Sequence, residues 1–168
     1  SPRKNLQTVL EAFSKLKDEL PNLQLITVGG NGWDYDKVKE QVNLLGLEDR
    51  VHFLGYVSDD LLRFLYRKAV VFVYPSLFEG FGLTVLEAMA SSCPVITSNT
   101  SSLPEIAGDA TILINPEDVD ELSANIALVS TNKKIREQMI TKGLQRAKTF
   151  TWEKAAALTF DIYKNISQ

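Results

Sequence analysis

Only one cysteine, Cys93, and one histidine, His52, occur among the 168 residues. A single thiol cannot close an intrachain disulfide, and it argues against a thiolate metal cluster. A single imidazole excludes any site built on two histidines. No segment approaches the roughly 20 apolar residues of a membrane-spanning helix. Ser1-Pro2-Arg3-Lys4-Asn5 has no apolar run behind it and does not read as a signal peptide. Lysine and arginine are absent from Ala69 to Asn132. Any phosphate held there must rely on backbone N–H groups and helix N-termini, with cations brought from elsewhere in the chain. The net charge of -3 does not favour a nucleic-acid partner.

What remains suits a single domain over 1–168, and a hydrophobic share of 45% is enough to build its core. Amphipathic segments alternate with short apolar runs, the pattern of βαβ units around a parallel sheet. Strands are expected near 23–28, 51–54, 70–73, 94–97 and 111–114. Helices are expected at 6–20, 34–45, 58–67, 82–91, 103–107, 119–129, 133–148 and 152–166. Ser58 and Thr151 stand where helix caps belong. The fold class is α/β, a Rossmann-like parallel sheet flanked by helices. Such a lobe normally opens with a strand that ends up mid-sheet. This chain opens on the first helix, so either that strand precedes Ser1 or the fold manages without it. In the first case the strands at 23–28 and 70–73 would face each other across a gap.

The chemistry concentrates in Ser76 to Ala90, S-L-F-E-G-F-G-L-T-V-L-E-A-M-A. This loop leaves a buried strand and enters a helix, at the carboxyl edge where open α/β sheets bind ligands. Gly80 and Gly82 let the backbone approach a ligand. The free N–H groups at the helix start, backed by its dipole, suit a phosphate. Glu79 and Glu87 flank that anion site. Two carboxylates repel phosphate, so their natural partners are neutral polyols. A sugar and a ribose on either side of a diphosphate meet that requirement. Taken alone, Glu79 reads as a helix cap and Glu87 as a solvated charge; the string as a whole carries the functional reading.

The stretch resembles the family 4 (group 1) retaining glycosyltransferases, whose hallmark is E-G-F-G-L-x-x-x-E-A-M-A, matched here by Glu79 to Ala90. The resemblance extends to Pro94–Ala110, to Val51–Asp59 (V-H-F-L-G-Y-V-S-D) and to Arg3–Leu6 (R-K-N-L). It implies the C-terminal, donor-binding lobe of a GT-B enzyme, with the acceptor lobe outside this chain. It further implies an NDP-sugar donor such as GDP-mannose or UDP-glucose, no metal or other cofactor, and retention of anomeric configuration. The acceptor would be a saccharide or lipid. The expected setting is the cytoplasm, with the inner membrane face and peripheral membrane association in view for the full-length enzyme.

Carried over by position, Glu79 would bind donor-sugar hydroxyls and Glu87 the ribose. The backbone of Gly80, Phe81, Gly82 and Leu83, with Thr84 beside it, would meet sugar and diphosphate. Lys4, next to Arg3, would neutralise the diphosphate, which makes Lys4 and Glu79 the expected catalytic residues. Gly55, Tyr56 and Val57 would line the base. Cys93 stands where many members carry Gly or Thr.

Other signals are weaker. Gly29-Gly30-Asn31-Gly32 lacks the third glycine of a dinucleotide fingerprint and reads as a turn at the crevice. Asp34-Tyr35-Asp36 imitates a metal-binding D-x-D, but acids at a helix start are favoured anyway. His52 reads as structural, Trp152 as an apolar anchor, and Phe72 and Tyr74 as core and crevice wall. Two rivals remain: a non-catalytic nucleotide-binding module on the same fold, and a dinucleotide-dependent oxidoreductase, against which the incomplete glycine pattern counts.

Overall fold

The structure, a computed structural model, describes residues 2–30 and 35–166. A 3-10 turn, Pro2–Lys4, leads into α1 (Leu6–Ser14), β1 (Leu25–Thr27), α2 (Tyr35–Leu44), β2 (Val51–Phe53) and α3 (Asp59–Lys68). Then come β3 (Phe72–Tyr74), α4 (Leu83–Ala90), β4 (Val95–Ser98), α5 (Leu103–Ala107) and β5 (Ile112–Ile114). Helices α6 (Val119–Thr131), α7 (Lys133–Ala147) and α8 (Trp152–Ile166) follow. The expected elements are all present, most with slightly shifted bounds, two of which have a visible cause. The first helix stops at Ser14, whose hydroxyl bonds the Glu11 carbonyl at 2.7 Å while the backbone tightens into Leu16-to-Phe13 and Lys17-to-Ser14 bonds. Leu16 and Leu20 continue the apolar spacing because they still pack, not because the helix continues. The third strand begins at Phe72, where its register with Val95 starts; Val70 lies outside it, 39% exposed.

Side-chain caps open the helices as the sequence predicts. Ser58 Oγ accepts from Leu61 N at 3.3 Å, and Thr151 Oγ1 from Lys154 N at 3.2 Å.

All strand pairs are parallel, and they form two sheets, β1-β2 and β3-β4-β5. α1 joins them. Val9, Ala12 and Leu16 pack with Leu25, Val73, Ile96 and Ile114, while Leu10 and Phe13 pack with Val42, Leu47 and Val51. Among the described residues, β1 pairs only with β2, and β3 only with β4. Each of these strands therefore has one edge without a strand partner among the described residues. A pocket of about 380 Å³, lined by Leu20, Leu23, Val70 and Ser130 among others, lies beside the residues that lead into β1 and β3.

A third layer backs the loop after β3. α4 packs on α7, and Gly143 of α7 admits Met89 of α4 to van der Waals distance. α8 buries no residue; Leu158, Phe160, Ile162, Tyr163 and Ile166 are each more than half exposed. Among the described residues no helix is long and apolar enough to cross a membrane.

Candidate functional site

The chain doubles back so that its two amino-terminal cations meet the loop after β3. Leu77 N donates to the Arg3 carbonyl at 2.9 Å, which fixes the backbone of the Pro2–Lys4 turn against that loop. Arg3 Nη1 then reaches Glu79 Oε2 at 2.6 Å, and Lys4 Nζ reaches Glu79 Oε1 at 2.8 Å. The cations missing from 69–132 are therefore supplied by the first turn of the chain.

Glu79 Oε1 accepts two further hydrogen bonds, from Tyr74 Oη at 2.6 Å and Ser76 Oγ at 2.9 Å. Lys4 Nζ also donates to Tyr74 Oη and lies 4.4 Å from the ring centroid. Partial burial by itself would raise the Glu79 carboxyl. Hydrogen bonds from Lys4, Arg3 and Ser76, with the Lys4 charge, outweigh it and hold the pKa below its ordinary value. The carboxylate is thus kept ionised, with three donors on Oε1 and Arg3 on Oε2.

Four hydroxyls on the neighbouring strand and loop staple the segment from Ser76 to Phe81. Ser98 Oγ donates to the Ser76 carbonyl at 2.7 Å, and Thr100 Oγ1 to that of Leu77 at 3.3 Å. Glu79 N donates to Ser101 Oγ at 3.0 Å. Ser102 Oγ reaches the carbonyls of Glu79 and Phe81 at 2.9 and 2.8 Å. Phe81 turns its ring edge-on to Phe150, 6.2 Å between centroids.

α4 starts at Leu83, and Gly82 offers its first turn no side-chain cap. Gly82 has φ +110°, and a Cβ there would lie 3.0 Å from Leu103 Cδ2. This position requires glycine. Gly80 differs: its φ is not positive, and a Cβ would enter open space. Leu83 is exposed and Thr84 half-buried at the uncapped helix start. The arrangement offers an anion the helix N-terminus, with Arg3 and Lys4 nearby on the Glu79 loop. The side chain of Glu87, exposed on α4, has no hydrogen-bond or ion-pair partner among the described residues. The Tyr66 phenol is pushed up chiefly by burial and then by the Glu87 charge.

Gly55, Tyr56 and Val57 follow β2. Gly29 N donates to the Gly55 carbonyl at 2.8 Å, so the ladder runs one step past β1. The Tyr56 ring lies over Gly30, where a Cβ would come 2.5 Å from Tyr56 Cε2 and the exposed ring would have to move aside. The Gly29–Gly30 turn and the expected base-lining segment are thus neighbours; Asn31, Gly32 and Asp34 lie outside the described residues. Asp36 sits in the first turn of α2. His52 Nε2 pairs with Gln24 Oε1 at 2.8 Å on an exposed face. Cys93 is buried, and burial pushes its thiol up to about 12, which leaves it unreactive.

Sequence reasoning passed over Ser76, Ser101 and Ser102 as contacts and took Tyr74 for a wall. The available signal was the run Thr97-Ser98-Asn99-Thr100-Ser101-Ser102, which begins in the last two residues of β4 and continues beyond it: six small polar residues at the carboxyl edge, too many for a plain connection.

Comparison with known proteins identifies the family and the fold. A family model described as glycosyl transferases group 1 matches residues 1–146, and the chain belongs to that family. O-antigen chain mannosyltransferase B of Escherichia coli is 42% identical over 164 residues, covering 97% of this chain and 43% of that protein. The chain thus spans less than half the length of that relative. Sucrose-phosphate synthase from Thermosynechococcus elongatus superposes with a TM-score of 0.86 at 28% identity, over 99% of this chain and 43% of that one. The C-terminal domain of a glycosyl transferase group 1 family protein from Francisella tularensis gives 0.78 at 28% identity, over 89% of this chain and 80% of that one. Parallel sheets flanked by helices are accordingly those of a GT-B glycosyltransferase.

Proposed function

We propose that this chain holds the nucleotide-sugar donor of a retaining hexosyltransferase. The observation that carries the reading is the meeting of Arg3 and Lys4 with Glu79 beside the uncapped start of α4. A donor sugar needs a carboxylate for its hydroxyls, and its diphosphate needs positive charge. Both needs are met within one loop. Glu87, further along α4, would take the ribose, and Gly55 to Val57 the base.

In the reaction, negative charge grows on the departing diphosphate. Lys4, Arg3 and the α4 N-terminus would stabilise it with groups already in place. Attack from the same face, with the leaving phosphate helping to deprotonate the acceptor, would retain the anomeric configuration. In this scheme the protein's own cations, Arg3 and Lys4, would neutralise the diphosphate without a metal ion. The mannosyltransferase name of the Escherichia coli relative favours a mannose donor, with GDP-mannose as the first candidate. The acceptor would be a saccharide, free or lipid-linked, met in the cytoplasm or at the inner membrane face. Acceptor groups lie outside these residues, so the isolated chain should bind donor without transferring it.

A thermal-shift screen over GDP-, UDP- and ADP-sugars tests the reading. A true donor at 100 times its dissociation constant adds about 2.7 kcal/mol of stability. A module with no use for the sugar would respond equally to the bare nucleoside diphosphate. No response to any nucleotide would sink the proposal.

A further inference from the structure

Glu79 is held by four donors of two kinds. Arg3 and Lys4 are mobile in principle: their side chains are 44% and 39% exposed. Tyr74 and Ser76 are not, at 9% and 0%. They are alternate residues at the end of β3, with buried Pro75 between them, so both face one side of the extended chain. Each is anchored from β4. Thr97 Oγ1 donates to the Tyr74 carbonyl at 2.8 Å, and Ser98 Oγ to the Ser76 carbonyl at 2.7 Å. The Tyr74 ring is stacked on Phe72, 5.6 Å between centroids.

The donors are unequally shared between the carboxylate oxygens. Both neutral hydroxyls bond Oε1 beside Lys4, the Ser76 hydroxyl lying also 3.0 Å from the Arg3 carbonyl and 3.3 Å from that of Phe78, whereas Oε2 is met by Arg3 alone. The direction of the Tyr74 bond is settled by its neighbour. An ammonium group only donates, so Tyr74 Oη accepts from Lys4 and its single hydrogen goes to Glu79.

We propose that Tyr74 and Ser76 are positioning residues that fix Glu79 through Oε1 and leave Oε2 as the oxygen that meets the donor sugar. The inference rests on the nucleotide-sugar reading above. Without ligand, Arg3 occupies the place of the sugar hydroxyls on Oε2. When a diphosphate draws Arg3 and Lys4 away, the carboxylate loses both cations at once. The two neutral hydroxyls cannot follow a phosphate. They alone then keep Glu79 aimed, which makes Tyr74 and Ser76 matter for the sugar and not for the nucleotide.

The test titrates GDP, GDP-mannose, UDP and UDP-glucose against the wild-type protein, Tyr74→Phe and Ser76→Ala. The quantity read is the sugar gain, the ratio of the nucleoside diphosphate Kd to the nucleotide-sugar Kd. A hydrogen bond to a charged group is worth enough that each variant should cut the gain about tenfold. The nucleoside diphosphate Kd should move by no more than about twofold. A folding defect would weaken both ligands together and leave the ratio alone. If Tyr74→Phe does not fold, Ser76→Ala decides by the same ratio. An unchanged ratio in the variants, beside a clear sugar gain in the wild type, overturns the positioning role and spares the donor reading. A wild-type protein that gains nothing from any sugar overturns the donor reading, and this inference with it.

Discussion

Lys4 Nζ lies 2.8 Å from Glu79 Oε1, although the two residues are 75 apart in the chain. The proposed function gives one to a diphosphate and the other to a sugar. On that proposal donor binding would exchange partners, with phosphate replacing the carboxylate around the cations and sugar hydroxyls replacing the cations around the carboxylate.

The first consequence concerns the two glutamates. Glu79→Ala should leave nucleoside diphosphate binding no weaker, because it frees Arg3 and Lys4, while removing the gain from the sugar. Glu87→Ala should weaken every nucleotide ligand, since the ribose is common to all. Each lost contact should cost roughly 1.5–3 kcal/mol, or about one to two orders of magnitude in Kd. Calorimetric titration with GDP and GDP-mannose measures both. Equal losses for the two ligands in Glu79→Ala would remove the sugar contact from the scheme.

Lys4→Ala should weaken nucleoside diphosphate binding more than nucleoside binding. Raising the salt should narrow that difference, since half-exposed charges are screened. Guanosine and GDP titrated at low and high ionic strength give the comparison. Wild-type affinity for GDP at low salt would reduce Lys4 to a partner of Glu79 alone.

The glycines on either side of Phe81 should behave oppositely. Gly82→Ala forces a side chain into φ +110° against Leu103 and should cost on the order of 1–3 kcal/mol. In a chain of this size that lowers the melting temperature by several degrees, at roughly 2–4 °C per kcal/mol. Gly80→Ala meets nothing within 4 Å and should leave the melting temperature unchanged. Its methyl would enter the open crevice and should weaken nucleotide-sugar binding instead.

Stability should report the Glu79 ion pairs through pH. The folded carboxyl titrates below its ordinary value of 4.5. Its stabilising contribution is therefore complete above that pH and is lost as pH falls through the lower, folded value. Denaturant unfolding of wild type and Glu79→Gln between about pH 6 and pH 3 should show their difference shrinking toward acid. A difference constant across that range would mean the ion pairs add nothing to folding.

Much of this protein was legible before any coordinates. The alternation of apolar runs and amphipathic segments determined the order of five strands and eight helices, because periods of 2 and 3.6 residues report which face of each element is buried. Capping residues set helix starts such as Ser58 and Thr151 through purely local bonds. The Glu79–Ala90 string identified the crevice, since its spacing is carried by one loop and one helix. The end of α1 at Ser14 and the start of β3 at Phe72 were not legible, because packing continues where hydrogen bonding stops.

Tertiary structure alone decided the state of the site. No local pattern could show that Arg3 and Lys4 fold back onto Glu79, that Tyr74 and Ser76 take one of its oxygens, or that Ser101 and Ser102 clamp its loop. The Tyr74 and Ser76 bonds lie within β3 and the loop after it, but the others join segments far apart in the chain, brought together by α1 packing between two sheets and by the register of β3 with β4. Sequence determines which groups are available for binding. Which of them hold one another is a matter of distance, and distance is a property of the fold.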